Sequence, residues 1–361
     1  MKAPKGLEGV IVDTTSISNV NAELSQLFYR GEEVSALSES KSFDEVAHLL
    51  VYDKLPNTEE LEAFQAKEKS GRTLNETTIQ LILSLKDAHP MDALRSAVSV
   101  VGALDHARAF DNSSETNFDK FLTLYAKIPT IIALHYRTSL GLKPINPDLD
   151  LSRSENFFNM CFGKLPSKEV LKGFEVSMTL YAEHSFNAST FSARVITSTT
   201  SDMYSAVTGA IGALKGPLHG GANEQVMYVL QELEKEDNVS EWLEKQLKAK
   251  RKIMGFGHRV YKNGDSRVPT MQKHMEQLAA GGGFENLLAN QKKLAELMKN
   301  QKGILPNLDY PAGPSYYMMG FDIPTFTPIF VMSRIVGWSA HIMEQTANNR
   351  IIRPLSEYIG K

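Results

Sequence analysis

Three stretches of the chain hold residues that could do chemistry. Ile211–Met227, IGALKGPLHGGANEQVM, sets His219 between Pro217 and the pair Gly220–Gly221. Lys252–Met271, KIMGFGHRVYKNGDSRVPTM, carries His258, and Ile304–Asp322, ILPNLDYPAGPSYYMMGFD, carries Asp309. Each puts one ionisable side chain in a loop punctuated by glycine or proline. Glycine has no Cβ, so it admits positive φ and close approach to the backbone. Two imidazoles, one carboxylate and several arginines suit proton abstraction beside a carbonyl. The carboxylate takes the proton, one neutral imidazole hydrogen-bonds the developing enolate, and the other polarises an electrophile. A well-aimed donor of this kind contributes about 10²–10³ in rate. Arginines suit a substrate with carboxylates, because a guanidinium grips a carboxylate through two parallel hydrogen bonds.

Taken singly, each residue also has a plain structural reading. A lone histidine such as His219 is as often structural as functional, and His184 by itself reads better as a satisfied core histidine. Asp309 could be a loop or N-cap carboxylate. Arg334 lies in an apolar helical run, where a buried arginine needs an anionic partner from protein or ligand. Arg353, before Pro354 near the terminus, could be an ordinary surface residue.

Other chemistries find no support. No HExxH, CxxC or HxH pairing occurs, and His341 with Glu344 stands on an otherwise apolar helix, so no metal site is expected. There is no P-loop and no GxSxG elbow, and Gly255-Phe256-Gly257 lacks the preceding strand and third glycine of a dinucleotide fingerprint. The 361 residues are 42% hydrophobic, enough for one large domain and a smaller one, and a net charge of −3 argues against a general polyanion binder. Cys161 is the single cysteine, so no intrachain disulfide can form, and a cytoplasmic location fits. The first residues lack a signal or transit pattern, and no 18-residue uncharged apolar run exists, so no membrane span is expected.

The elements that must position these groups read as helices. Ser42 with Glu45, Asn57 with Glu60 and Ser152 with Glu155 are capping-box patterns. Helices are expected at 77–87, after Pro90, at 118–140 with a break near Pro129, and at 170–181, 189–198 and 202–214. Asn223 suits the N-cap of a helix over 224–234, followed by helices at 240–250, 287–300 and 326–345. A short β-like run at 10–12 is the single strand signal, and no repeat of fixed period occurs. The class is all-α.

Ten segments in order resemble the citrate synthase family, most of all its bacterial short-chain branch that includes 2-methylcitrate synthases. They are GLEGV, YRG, SFDEVAHLL, HPMDALRSAVS, YAEHSFNASTFSARVITS, GALKGPLHGGANE, KIMGFGHRVYKNGDSRVPTM, NLDYPAGPSYYMMGFD, FTPIFVMSRIVGWSAHIMEQ and RPLSEY, spanning about residues 6–358. The resemblance implies a two-domain all-α fold, with residues 1–220 and 315–361 in a large domain and 221–314 in a small one. It implies condensation of propionyl-CoA or acetyl-CoA with oxaloacetate and water, giving 2-methylcitrate or citrate and CoA. Asp309 would take the α-proton, His219 would bond the thioester oxygen, and His258 would polarise the keto group. His184, Arg267 and Arg334 would hold oxaloacetate, with Arg353 reaching in from the neighbouring subunit of a homodimer. Coenzyme A would lie along Lys252, Ile253, Met254, Gly255 and Phe256, with Lys262 near a phosphate, and Arg72 would be a further substrate or coenzyme contact. The coenzyme A thioester is a substrate; no tightly bound cofactor, metal, nucleic acid or membrane is implied. Where many relatives have Asp-Pro-Arg, this chain has Asp265-Ser266-Arg267, which frees φ at residue 266 and keeps the spacing from His258 to Arg267. A catalytically silent helical binding protein and a metal-dependent hydrolase are the rival classes.

Overall fold

A computed structural model describes residues 4–360. Sixteen α-helices occur among them. They are α1 (Val34–Ser40), α2 (Phe43–Tyr52), α3 (Thr58–Gly71), α4 (Glu76–Ser84), α5 (Pro90–Ala103), α6 (Ser114–Ser139), α7 (Arg153–Phe162), α8 (Lys168–Tyr181), α9 (Ala188–Ser198), α10 (Met203–Leu214), α11 (Ala222–Leu233), α12 (Val239–Lys248), α13 (Val268–Ala279), α14 (Glu285–Lys302), α15 (Asp309–Met318) and α16 (Phe326–Ala347). The three capping boxes form as their sequences direct, each with the N3 glutamate reaching back to the cap backbone. Pro90 opens α5, and His89 caps it by accepting from the Met91 N–H.

The core runs along α16, which is buried over almost its whole length from Phe326 to Ile342. Around it pack α2, α5, α6, α8, α9 and α10. A second group, α11 to α15, packs mainly on itself and meets the first through α13 and α15 against α8 and α11 against α16.

Three expectations need correction. The run at 10–12 is exposed and forms no strand; a three-stranded antiparallel sheet forms instead from β1 (Ser18–Asn21), β2 (Gln26–Tyr29) and β3 (Glu32–Glu33). Its strands are too short for alternation to stand out. Helix α6 does not break at Pro129. The proline removes the N–H that would bond the Tyr125 carbonyl, and the Nε of Arg153 donates to that carbonyl at 3.4 Å. Finally, α11 is capped by Gly221, not Asn223, which lies fully buried in its first turn.

Candidate active site

The turn that presents His219 has room only for glycine at its exit. A Cβ on Gly220 would lie 2.5 Å from Leu214 Cγ and 2.7 Å from the Leu214 carbonyl, and one on Gly221 would lie 2.9 Å from the Lys215 carbonyl. Close approach, not positive φ, is what these glycines provide. The ring of His219 is then fixed by α9. Its Nε2 accepts the Ser189 N–H at 3.3 Å and lies 2.8 Å from the Ser189 hydroxyl, which in turn accepts from Trp338 Nε1. With Nε2 an acceptor, the neutral ring carries its proton on Nδ1. Burial, aided by Arg334, pulls the His219 pKa down to about 3, so the ring is neutral at physiological pH.

His258 is fixed in the opposite sense. Its Nδ1 accepts the N–H groups of Val260 and Tyr261 at 3.0 and 3.1 Å, which leaves the proton on Nε2. Burial and the Arg267 charge pull its pKa down to about 4. The ring lies 4.9 Å from that of His184 and 4.6 Å from that of Tyr261, centroid to centroid. His184, buried at the bend after α8, is held well below the usual histidine range by burial and by Arg267, His258 and Arg334. The Tyr261 hydroxyl sits 3.4 Å from His184 Nε2 and 2.9 Å from the Ser266 hydroxyl. Ser266 thus anchors a tyrosine of this cluster.

Asp309 is not in a loop but is the first residue of α15, where the helix dipole favours a carboxylate. Helix α15 comes close to α11 at Gly313, whose Cβ would lie 2.6 Å from the Asn223 carbonyl. Burial raises the Asp309 pKa to about 6, against the Tyr181 hydroxyl, which donates to Oδ1 at 2.7 Å, and Arg267. Phe330 of α16 joins these groups, its ring centroid 4.0 Å from that of Tyr181 in a tilted contact and 6.3 Å from that of His219 edge to face.

Two buried guanidiniums complete the cluster, and they differ. Arg267 is paired with Asp265 through Nε and Nη2 at 2.9 and 2.7 Å; burial would lower its pKa, but the carboxylate outweighs that and raises it. The same Asp265 accepts the Leu308 N–H, tying the Arg267 loop to the start of α15. Arg334 gives its Nε to the Tyr181 carbonyl at 2.6 Å and lies under the Phe330 ring, while its buried Nη1 has no hydrogen-bond partner.

The segment Lys252–Phe256 pairs with residues 305–307. The Gly255 carbonyl accepts the Asn307 N–H, and the Gly257 N–H donates to Leu305. Ile253 is buried, Phe256 packs on Tyr310 at 4.5 Å, and Lys252 and Lys262 are exposed. Two expected residues lie apart. Arg72 is 1% exposed: it pairs with Glu68 and donates to the carbonyls of Asp148 and Leu151, none of which belongs to the histidine cluster. Four of its five N–H donors are thus held by its own chain, away from that cluster. Arg353 is exposed on the extended chain after α16. Sequence reading missed Tyr181, Ser189, Tyr261 and Asp265. Tyr181 and Ser189 lie near His184 in the chain, and Tyr261 and Asp265 near His258, which is a signal that was available. Among the described residues, no cluster of three or more His, Cys, Asp or Glu could hold a metal ion, and no helix is long and apolar enough to cross a membrane.

A two-lobed, helical fold whose site gathers two neutral imidazoles, a carboxylate of raised pKa and buried arginines defines an enzyme of the acid–base kind acting on an anionic substrate. The chain belongs to the citrate synthase family: residues 6–355 match the family model described as citrate synthase, C-terminal domain. It is 52% identical over 358 residues to a citrate synthase of Mycolicibacterium smegmatis, covering 99% of this chain and 95% of that protein. It is also 52% identical over 357 residues to a 2-methylcitrate synthase of Mycobacterium tuberculosis, covering 99% and 90%. Among solved structures it is similar to the ternary complex of Thermoplasma acidophilum citrate synthase with carboxymethyl coenzyme A and oxaloacetate. That likeness has a TM-score of 0.94 and 30% identity, over 99% of this chain and 96% of that one.

Proposed function

We propose that this chain condenses an acyl-CoA with oxaloacetate, favouring propionyl-CoA and so making 2-methylcitrate, while accepting acetyl-CoA to make citrate. The observation that carries the chemistry is the pair of fixed tautomers beside a carboxylate of raised pKa. Asp309 takes the α-proton of the acyl-CoA. The Nδ1–H of His219 donates to the thioester oxygen as negative charge builds there, and the Nε2–H of His258 donates to the keto oxygen of oxaloacetate. The enol carbon attacks the keto carbon, and the new alkoxide takes a proton from His258. Water then cleaves the thioester and releases CoA, which makes the condensation irreversible.

His184, Arg267 and Arg334 hold oxaloacetate. The free Nη1 of Arg334 supports this, since a buried cationic donor without a partner is costly unless a ligand supplies one. The coenzyme lies along Lys252–Phe256 with Lys262 near a phosphate. The two lobes, 1–220 with 315–361 and 221–314, close over the substrates and exclude water, and the second boundary falls within α15, so Asp309 rides at the moving end. The protein works as a cytoplasmic homodimer, with Arg353 of the exposed tail serving the neighbouring subunit's site. A dedicated citrate synthase is the second reading, favoured by the similarity to the M. smegmatis protein. One methylene in a pocket is worth only about 1–3 kcal/mol, so the choice is a matter of rates. Steady-state kcat/KM for propionyl-CoA and acetyl-CoA at saturating oxaloacetate separates them. A clear propionyl-CoA advantage upholds the reading, and an acetyl-CoA advantage replaces it with the second.

A further inference from the structure

Next to His184, the bend after α8 buries a second acidic residue that the reaction does not use. Glu183 is 0% exposed. Its backbone is clamped by β2, where the Tyr29 hydroxyl accepts the Glu183 N–H at 3.1 Å and lies 2.9 Å from the Glu183 carbonyl. Its Oε1 accepts from Ser18 of β1 at 3.0 Å and lies 2.9 Å from His341 Nε2. Arg194 Nη1 lies 3.0 Å from His341 Nδ1, and a guanidinium can only donate. His341 is therefore held as an acceptor at Nδ1 and a donor to Glu183 at Nε2. The other oxygen, Oε2, is buried and has no hydrogen-bond partner.

The carboxylate lies against the backbone of α16. A Cβ on Gly337 would stand 2.4 Å from Glu183 Oε2, so only glycine leaves room for it. Gly337 sits between Arg334 and His341, which are two helical turns apart. Burial alone would raise the Glu183 pKa, but the hydrogen bond from His341 Nε2, the Arg334 charge and the Ser18 hydroxyl oppose it, and the group is held below the usual carboxylate range. Glu183 is also the foremost influence opposing the fall in the Arg334 pKa that burial causes. Yet the two groups do not touch: among the described residues no carboxylate comes within 4 Å of the Arg334 guanidinium. Arg267, by contrast, is capped by Asp265 through two bonds.

We propose that Glu183 is the counter-charge of Arg334, held off by the Gly337 notch and by His341 so that it balances the buried guanidinium while leaving Nη1 open for a substrate carboxylate. This rests on the reading that Arg334 binds oxaloacetate. A carboxylate so placed makes the empty site tolerable and also repels the incoming dianion, so it sets the affinity at a moderate value. Neutralising it has an effect that a purely structural role would not produce: tighter binding.

The test is calorimetric titration of the full-length protein with oxaloacetate, without acyl-CoA, for the wild type, Glu183→Gln, Glu183→Asp and Arg334→Gln. Glu183→Gln is expected to bind oxaloacetate roughly tenfold more tightly, the scale of one charge acting through several ångströms of protein, while Glu183→Asp, which keeps the charge, does not tighten. Equal or weaker binding by Glu183→Gln overturns the proposal. Should Glu183→Gln alone not fold, the double variant Glu183→Gln/Arg334→Gln decides by its melting temperature. If the two charges balance each other, the double variant melts above Arg334→Gln; a melting temperature at or below that of Arg334→Gln overturns the proposal. Weakened binding by Arg334→Gln without tightening by Glu183→Gln sinks the counter-charge alone. Unchanged binding by Arg334→Gln sinks the underlying assignment of Arg334.

Discussion

At the residue scale, protonation divides the labour. His219 and His258 titrate near 3 and 4 and stay neutral through the working range, so neither produces a limb in the pH profile there. Asp309 must be ionised to act as a base, and its pKa lies near 6. Values of kcat/KM for the acyl-CoA are therefore expected to fall as pH drops through about 6 and to be flat above it. Tyr181→Phe removes the hydroxyl that steadies the ionised carboxylate, so its acid limb should move to higher pH; a limb that stays put would separate Tyr181 from the base. The same pKa has a stability consequence of unusual sign for a carboxylate. A folded pKa above the unfolded value contributes stability at low pH that is lost as pH rises through about 6. Asp309→Asn should thus melt higher than the wild type at pH 8, with the gain shrinking below pH 6, as differential scanning calorimetry would show. Arg334→Ala should raise the KM for oxaloacetate with a smaller effect on that for acyl-CoA, and an unchanged oxaloacetate affinity would remove it from the site.

At the element scale, turns and helix ends do the positioning, and they were unequally legible in the sequence. The capping boxes, the Pro90 start and the long apolar run of α16 could be read directly, because each signal lies within a few residues. The stretches around His219, His258 and Asp309 stand out too, since each sets an ionisable residue among glycines and prolines. What could not be read is long-range. The carbonyl that Pro129 leaves without its helical N–H is met by Arg153, distant in sequence. Arg72 looked available until its partners Glu68, Asp148 and Leu151 converged on it. The short β1–β2–β3 sheet, silent in the periodicity, brings Ser18 and Tyr29 under the bend that carries Glu183 and His184. Gly255 illustrates a local signal with a long-range reason. It has φ +85°, and a Cβ there would lie 2.5 Å from Val226 Cγ2 and 2.9 Å from Tyr310 Cδ2. Gly255→Ala should cost about 1–3 kcal/mol through overpacking and strain, and should raise the KM for acyl-CoA more than that for oxaloacetate.

At the scale of the whole molecule, the site is assembled from both helical groups, so its geometry depends on how they meet. His219, His184 and Arg334 belong to the elements around α16, while His258, Arg267 and Asp309 come from the segments that pack with α11 to α15. Closure of one group on the other would bring the carboxylate to an acyl group already polarised by His219. The proposed homodimer adds a further dependence through Arg353. Mixing subunits of Arg353→Ala with subunits of Asp309→Asn should restore activity that neither variant has alone, because one site of each mixed dimer is then intact. No recovery after verified subunit exchange would place Arg353 outside the partner's site. The central claim, that Asp309 drives an acyl-CoA and oxaloacetate condensation, is tested most directly by release of CoA thiol from propionyl-CoA or acetyl-CoA in the presence of oxaloacetate, comparing wild type with Asp309→Asn. The account predicts steady release by the wild type and a loss of at least about a hundredfold in the variant, with oxaloacetate binding retained. A folded wild-type protein that releases thiol from neither acyl-CoA, or a variant that releases it at the wild-type rate, would contradict it.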